Sequence, residues 1–462
     1  MKHPSDKIGY ANEIKPNLFV QLVSFILLVA FAIGLIVSWT NTLIGLMGSI
    51  ALISVVYAAI RLTACIARKP KLAKSEPIEE WPFYTVLVPL FRESNMVPQL
   101  MSALSMLDYP KDKLEIFMIC EAIDLPTIEA VRKRVGGIFH LIVVPPGTPQ
   151  TKPRALNFAM QNARGEFVTI YDAEDIPAPD QLKAAIRAFK EDETLGALQA
   201  PLDYANANIN WLTRQFGLEY AALFHVWVPF LSVMNFPYPL GGTSNHMRRT
   251  ALDEIKGWDS HNVTEDADLS FRLAAHKWRL GYITPPTKEE AVSKFKSWHY
   301  QRSRWMKGYI QTWQCHMHAP FAPGGLKGLA RFFTLQLTVG LTLMSALFHL
   351  PVMLCVVAYS LYHYMTFGVL SISIPFLISL AISYGAGMLI GAVGAIRSGK
   401  PILLLSVPFM PLYWLALCAP TLHAFLEVRS KPFHWHKTEH GVSGATPLKT
   451  QSEGLTNQNV HI

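Results

Sequence analysis

Two stretches of this chain carry no Asp, Glu, Lys or Arg: residues 16–60 and 332–396, blocks of 45 and 65 residues. A helix of about 20 apolar residues crosses the hydrocarbon core of a bilayer, and lipid tolerates only backbone whose polar groups are paired internally. Both blocks are therefore expected to fold as membrane helices, with a separate water-facing unit between them. The first block breaks at Trp39-Thr40-Asn41, which gives expected spans over 18–39 and 42–62. The second holds two long spans or three short ones, with breaks near His349-Leu350-Pro351 and around 362–367. A further apolar stretch, 401–426, contains Pro401, Pro408, Pro411 and Pro420, so a kinked or interfacial helix is open there. A cleavable signal peptide is not expected, because the apolar stretch is too long and no small-residue cleavage site follows it.

Basic residues give the orientation. Lys2, Lys7 and Lys15 precede the first span, Arg61, Arg68, Lys69, Lys71 and Lys74 follow the second, and none lies between. The N-terminus and the central region should both be cytosolic. Arg429, Lys431 and Lys437 favour the same side for the tail, so parity favours three spans in the second block plus one after it, six in all. The net charge of +8 is read as charge flanking these spans, and no basic-aromatic repeat suggests a nucleic-acid partner. Five cysteines, Cys65, Cys120, Cys315, Cys355 and Cys418, have no spacing that suggests a disulfide or zinc site. From about Pro447 the chain reads as a disordered polar tail.

Between roughly Lys69 and Gly328 the pattern alternates between strands and helices. Apolar, β-branched runs at Tyr84–Leu90, 114–119, 140–144 and 166–171 are separated by helical patterns at 95–107, 127–134 and 154–163. This predicts an α/β unit with a mainly parallel sheet, which binds ligands beyond the carboxyl ends of its strands. Acidic groups fall at those ends: Glu93, then Glu121 and Asp124, then Asp172, Glu174 and Asp175. Carboxylates on one loop suit a divalent cation that arrives on a nucleotide diphosphate; the plainer reading is a solvated turn that caps the next helix.

Further along, Thr264-Glu265-Asp266 is followed by Gln301-Arg302-Ser303-Arg304-Trp305. A carboxylate base, a guanidinium and a flat indole are what sugar transfer from a nucleotide requires. The neighbouring His299, Arg302, Trp298 and Trp313 read as the headgroup anchors of an amphipathic interfacial helix. Gly241-Gly242 is either a tight turn or a place where backbone approaches a sugar closely.

In order, Asp124, Lys152-Pro153-Arg154-Ala155-Leu156-Asn157, Asp172-Ala173-Glu174-Asp175, Gly241-Gly242-Thr243-Ser244-Asn245, Thr264-Glu265-Asp266 and the Gln-x-x-Arg-Trp motif resemble a membrane-integrated family 2 glycosyltransferase. The relatives in view are the bacterial cellulose and hyaluronan synthases, and the likeness covers about Phe83 to Gly308. The resemblance implies a GT-A fold, a mainly parallel Rossmann-like sheet, joined to a transmembrane helical bundle. It implies Asp266 as catalytic base, with Glu265 and Arg304 beside it. It also implies Glu93, Glu121, Asp124, Lys152, Arg154 and Asp172 at the donor, and Trp305, Gln301, Gly242 and Thr243 at the acceptor. Asp172, Glu174 and Asp175 would hold Mg2+ or Mn2+. The sequence departs from the family's paired aspartates at Glu121-Ala122-Ile123-Asp124 and from Asp-x-Asp at the metal motif. The tail segment from Lys431 to Thr438 resembles a cytosolic element that reaches the active site in some relatives.

The expected protein is an inverting hexosyltransferase using a UDP-sugar to extend a β-linked polysaccharide, processively and with export through its own helices. The alternative is a glycolipid glucosyltransferase acting on ceramide or diacylglycerol; a transporter or non-catalytic subunit is disfavoured because the acidic groups lie outside the spans. The expected division is 1–66 for the N-terminal segment and two helices, 67–330 for the catalytic domain, 331–427 for three or four helices, and 428–462 for the tail. The expected location is a bacterial inner membrane, with the catalytic domain cytosolic and an export partner left open.

Overall fold

The computed structural model describes residues 8–13, 18–67, 78–369 and 374–433. The flanking charges Lys2, Lys7, Lys15, Arg68, Lys69, Lys71 and Lys74 lie outside them, as do Lys437 and the tail beyond Phe433. Helix α1 (Leu18–Ile66) is two apolar helices joined at Ser38, whose φ of −159° and ψ of 87° break the helical path. That kink is one residue from the polar Trp39-Thr40-Asn41 break.

Strands β1 (Tyr84–Leu90), β2 (Leu114–Glu121), β3 (Phe139–Val144) and β4 (Phe167–Ile170) pair in parallel in the order β3-β2-β1-β4. Helices α2 (Val97–Ser105), α3 (Leu125–Arg132) and α4 (Lys152–Met160) follow the first three strands. A parallel sheet is covered on both faces, so its strands read as continuous apolar runs. Along β1, Leu87 packs toward Leu156 of α4, while Val86 and Val88 pack toward Leu100 and Leu104 of α2. The alternation is the two-residue period of a strand.

The sheet continues past residue 171, where the sequence pattern ended it. After β5 (Ile176–Pro177) and α5 (Gln181–Glu191) come β6 (Leu195–Gln199), β7 (Leu202–Tyr204), α6 (Trp211–Ala222), β8 (Asn245–Arg248), α7 (Glu265–Ala275), β9 (Arg279–Tyr282) and β10 (Thr287–Glu289). The seven-stranded order is β3-β2-β1-β4-β8-β6-β9, with β8 antiparallel to both neighbours; β5, β10 and β7 form a second, three-stranded sheet. The added strands are short and carry polar residues such as Gln199, Asn245 and His246, whose hydrogen bonds are buried.

Helices α8 (Phe295–His316) and α9 (Gly325–Leu335) lead to α10 (Leu341–Phe367) and α11 (Ile374–Arg397). The second charge-free block thus supplies two long helices, not the three that parity favoured. Helix α10 runs straight through Pro351, where a break was expected. The last apolar stretch is a 3-10 segment (Pro401–Phe409), a short helix (Met410–Ala416) and α12 (Cys418–Ser430).

Both ends of that stretch return to the central unit. At its start, Lys400 Nζ donates to Tyr204 O at 3.0 Å. At its end, Lys307 Nζ donates to Glu427 Oε2 and to Lys431 O at 3.2 Å, and Gln311 Nε2 donates to Pro432 O at 3.0 Å. Six helices among the described residues are long and apolar enough to cross a membrane. One of these, Trp211–Val233, is largely buried inside the protein, and another is Pro401–Ser430, the stretch hydrogen-bonded at both ends.

Candidate active site

Thr264 leads into α7, so Glu265 and Asp266 occupy its first turn, where unpaired backbone N–H groups favour negative charge. Asp266 Oδ1 accepts the N–H of Ala267 at 2.8 Å. Helix α8 crosses this turn at Gly308, where a Cβ would collide with the Thr264 side chain. That close approach sets Arg304 and Trp305, one turn earlier on α8, beside the acid pair. Across the space, Gly242 also lacks a side chain where one would stand 3.5 Å from Asp266 Oδ2 and 3.9 Å from Lys152 Nζ.

Two cations face three carboxylates. Lys152 opens α4 and its Nζ donates to Asp172 Oδ1 at 2.5 Å and to Gly242 O at 2.8 Å. Burial pulls the Lys152 ammonium down, but Asp172, Glu265 and Asp266 outweigh burial and hold it above its ordinary value. Burial lowers Arg304, opposed by Glu265, Asp266 and Asp172. Burial raises both acids, and Glu265, next to Asp266, is pushed up to about 7. Burial favours the protonated form of both acids, while Lys152 and Arg304 favour the ionised form.

The acidic loop after β4 divides its carboxylates. Asp172 and Glu174 line the cavity. Asp175 turns inward, where its Oδ2 accepts from the Asp172 N–H at 2.7 Å and from the Thr243 hydroxyl. Asp175 and Thr243 are therefore the buttress of this loop, which corrects the expectation that Asp175 is a metal ligand. Among the described residues no three His, Cys, Asp or Glu side chains converge as a ready-made metal site. Two carboxylates facing a phosphate-sized space still fit a cation whose remaining ligands come from a diphosphate.

Beyond the carboxyl ends of β1 and β2, Glu93 and Glu121 line the cavity, and Glu121 Oε2 lies 3.6 Å from Arg154 Nη1. Asp124 does not reach the cavity with them. Its Oδ2 accepts the Arg92 N–H at 2.5 Å and its side chain caps α3, a helix-start role that its spacing from β2 did not distinguish from ligand binding. Gln301, Gly242, Thr243 and Trp305 also line the cavity.

That cavity has a volume of about 1460 Å³ and does not stop at the catalytic unit. Beyond Asp266 and Trp305 it runs between α1, α10 and α11, past Leu46, Ile50, Ile53, Met344, Phe348, Val352 and Leu380. The lining there is more apolar than polar, with Ser54, Tyr57, Arg61, Thr342, Ser345, His349, Ser383 and Tyr384 interspersed.

Several contributors were not foreseen. Glu289 on β10 faces the acidic loop, and burial together with Asp175, Glu174 and Asp172 pushes its carboxyl far above the usual range. Glu219 of α6 and Tyr413 join the cavity wall beside Trp305. Arg302 and Trp298 are buried against protein, not anchored at headgroups; His299 pairs with His423, and Trp313 Nε1 donates to Gln336 Oε1 at 2.9 Å. Helical periodicity places a residue on a face but does not say whether lipid or protein covers that face.

A family model described as "Glycosyl transferase family group 2" matches residues 167–425, and one described as "Glycosyl transferase family 2" matches 85–248. A beta-monoglucosyldiacylglycerol synthase of Synechocystis is 29% identical over 252 residues, covering 53% of this chain and 52% of the relative. A probable glucomannan 4-beta-mannosyltransferase of Arabidopsis thaliana is 25% identical over 280 residues, covering 56% and 50%. The chain spans about half the length of the curated relatives it matches. A mannosyltransferase from Pyrobaculum calidifontis, solved with GDP-Man and Mn2+, superposes with a TM-score of 0.55 at 20% identity, covering 81% of this chain and 96% of that one. The shared architecture is the GT-A fold.

Proposed function

The chain belongs to glycosyl transferase family group 2, and we propose that it is an inverting hexosyltransferase that moves a sugar from a UDP-sugar to a lipid acceptor drawn from the bilayer. In this reading Asp266 takes the proton of the acceptor hydroxyl as its oxygen attacks the anomeric carbon. The bond from that carbon to the diphosphate breaks, and Arg304 and Lys152 face the departing charge. One displacement inverts the anomeric centre and needs no enzyme nucleophile. Asp172 and Glu174 would hold Mg2+ or Mn2+, which when bound neutralises charge on the diphosphate. Glu93 and Glu121 would border the nucleoside.

The observation that carries the acceptor is the continuity of the cavity from Asp266 into a mostly apolar space between α1, α10 and α11. Acyl chains match that lining, whereas a glycan needs hydrogen-bonding partners along its whole path. The relative named for diacylglycerol glucosylation agrees. A growing polysaccharide remains the second reading, favoured by the aromatic residues Tyr220, Trp305, Tyr413 and Trp414 on the same cavity and by the glucomannan relative.

In the proposed organisation, residues 1–66 carry two crossing helices, 67–330 the catalytic unit and 331–427 two more crossing helices plus the returning stretch, with 428–462 the tail. The catalytic unit would face the cytosol of a bacterial plasma membrane. Purified protein is incubated with radiolabelled UDP- and GDP-hexoses in bilayers containing diacylglycerol, ceramide or their monoglucosylated forms, then extracted. Label in the organic phase supports the proposal; label only in an ethanol-precipitable polymer overturns it in favour of the second reading.

A further inference from the structure

We propose that Glu219, Arg302 and Tyr413 form a subsite for a sugar ring already present on the acceptor, so that the enzyme extends a saccharide and does not glycosylate a bare lipid. The lipid carrying that saccharide rests on the reading above; the subsite does not.

Arg302 is 3% exposed, and its guanidinium lies between two rings, 4.4 Å from the centroid of Phe216 and 4.4 Å from that of Trp305. Both of its terminal nitrogens donate to Glu219, Nη1 to Oε1 at 2.8 Å and Nη2 to Oε2. Tyr413 Oη also donates to Glu219 Oε2 at 2.8 Å, and receives Trp298 Nε1 at 3.1 Å. Three elements, α6, α8 and the Met410–Ala416 helix, are thus tied at one carboxylate.

A buried ion pair is a poor way to join helices, because desolvation offsets most of the attraction and apolar residues would serve as well. This pair has a feature that a strut would lack. The Glu219 side chain keeps 34% of its surface accessible, while Arg302 keeps 4%, and that open side faces the cavity. The carboxylate is fixed from behind by three donors and free to accept more in front. Arg302 also covers one indole face, which fixes the plane of Trp305, itself on the cavity wall.

A fixed apolar plate beside an oriented carboxylate matches one class of group. A pyranose offers a face of C–H bonds to the plate and neighbouring hydroxyls to the carboxylate. Diacylglycerol has one hydroxyl and no such face. Glu219 and Trp305 are therefore acceptor-binding residues, and Arg302 is a positioning residue acting through both.

The test uses the full chain in nanodiscs with three acceptors: dodecyl glucoside, dioctanoylglycerol and cellobiose. Wild type is expected to favour dodecyl glucoside over dioctanoylglycerol at least tenfold in kcat/KM. Glu219→Gln should raise the KM for dodecyl glucoside tenfold or more, with kcat within about threefold and UDP affinity unchanged; Tyr413→Phe should do the same more weakly. Equal loss of UDP affinity and kcat in both variants, an unchanged sugar KM, or a wild-type preference for dioctanoylglycerol overturns the subsite. Use of cellobiose but neither lipid would instead sink the lipid reading, and the KM of Glu219→Gln for cellobiose would then decide the subsite. Should wild type transfer to nothing, equilibrium binding of dodecyl glucoside to both proteins decides it.

Discussion

Lys152 Nζ sits 2.5 Å from Asp172 Oδ1, so the carboxylate proposed to hold a cation is already matched by a cation of the protein's own. The same ammonium meets Gly242 O at 2.8 Å and so ties the acidic loop to that glycine. Lys152→Gln should weaken UDP-sugar binding by about ten- to a hundredfold, the scale of one charged hydrogen bond. Titration of UDP into wild type and variant measures it, and equal affinities would remove Lys152 from the donor site.

Asp266→Asn should bind donor as wild type does and lose transfer by about 10²–10⁴-fold, since an amide cannot take the hydroxyl proton. Single-turnover transfer under saturating donor reads the chemical step. Transfer near the wild-type rate would assign the base elsewhere.

Removal of divalent cations should abolish transfer and weaken donor binding, and Asp172→Ala should weaken donor binding even with metal present. Full turnover in EDTA would exclude the arrangement proposed for Asp172 and Glu174.

Glu265 gives a pH signature in stability. Burial, reinforced by Asp266, pushes its carboxyl from 4.5 up to about 7 in the folded chain, so folding favours the protonated form. The contribution is complete below pH 4.5 and falls as the unfolded chain ionises; it is gone once pH passes about 7. Wild type should therefore lose melting temperature relative to Glu265→Gln across that window. A difference that stays constant from pH 4.5 to 7 would contradict it.

Topology can be read with a membrane-impermeant maleimide in a chain stripped of its five native cysteines. Cysteines at Ser398 and Ser430 should label from the same face as the catalytic unit, and one at Val369 from the other. Opposite labelling of Ser398 and Ser430 would mean that the 401–430 stretch crosses.

Strands β1, β2 and β4 were legible because a strand buried on both faces is largely apolar, and Tyr84–Leu90 is read to the residue, while β3, the partly exposed edge strand, keeps a similar apolar run. Strand β8 was not, because Asn245 and His246 satisfy their polar groups inside the protein, and no periodicity marks that. The site divided in the same way. Asp266, Arg304 and Trp305 were legible as a chemical set, while Asp124 and Asp175 were drawn in by type and turned out to be a cap and a buttress. Glu219 and Tyr413 lie far from any motif, and only the packing of α6 and α8 brings them to Trp305.

If the acceptor is the membrane lipid proposed above, the mostly apolar continuation of the cavity makes the bilayer itself the reagent bottle. An acceptor that enters sideways is sampled in two dimensions, so the quantity that governs rate is its mole fraction among lipids and not its amount per volume. Diluting the membrane with inert lipid at fixed total acceptor should slow turnover, whereas diluting the vesicles with buffer should leave it unchanged. Detergent micelles, which hand every enzyme a private and shifting mixture, would blur that dependence.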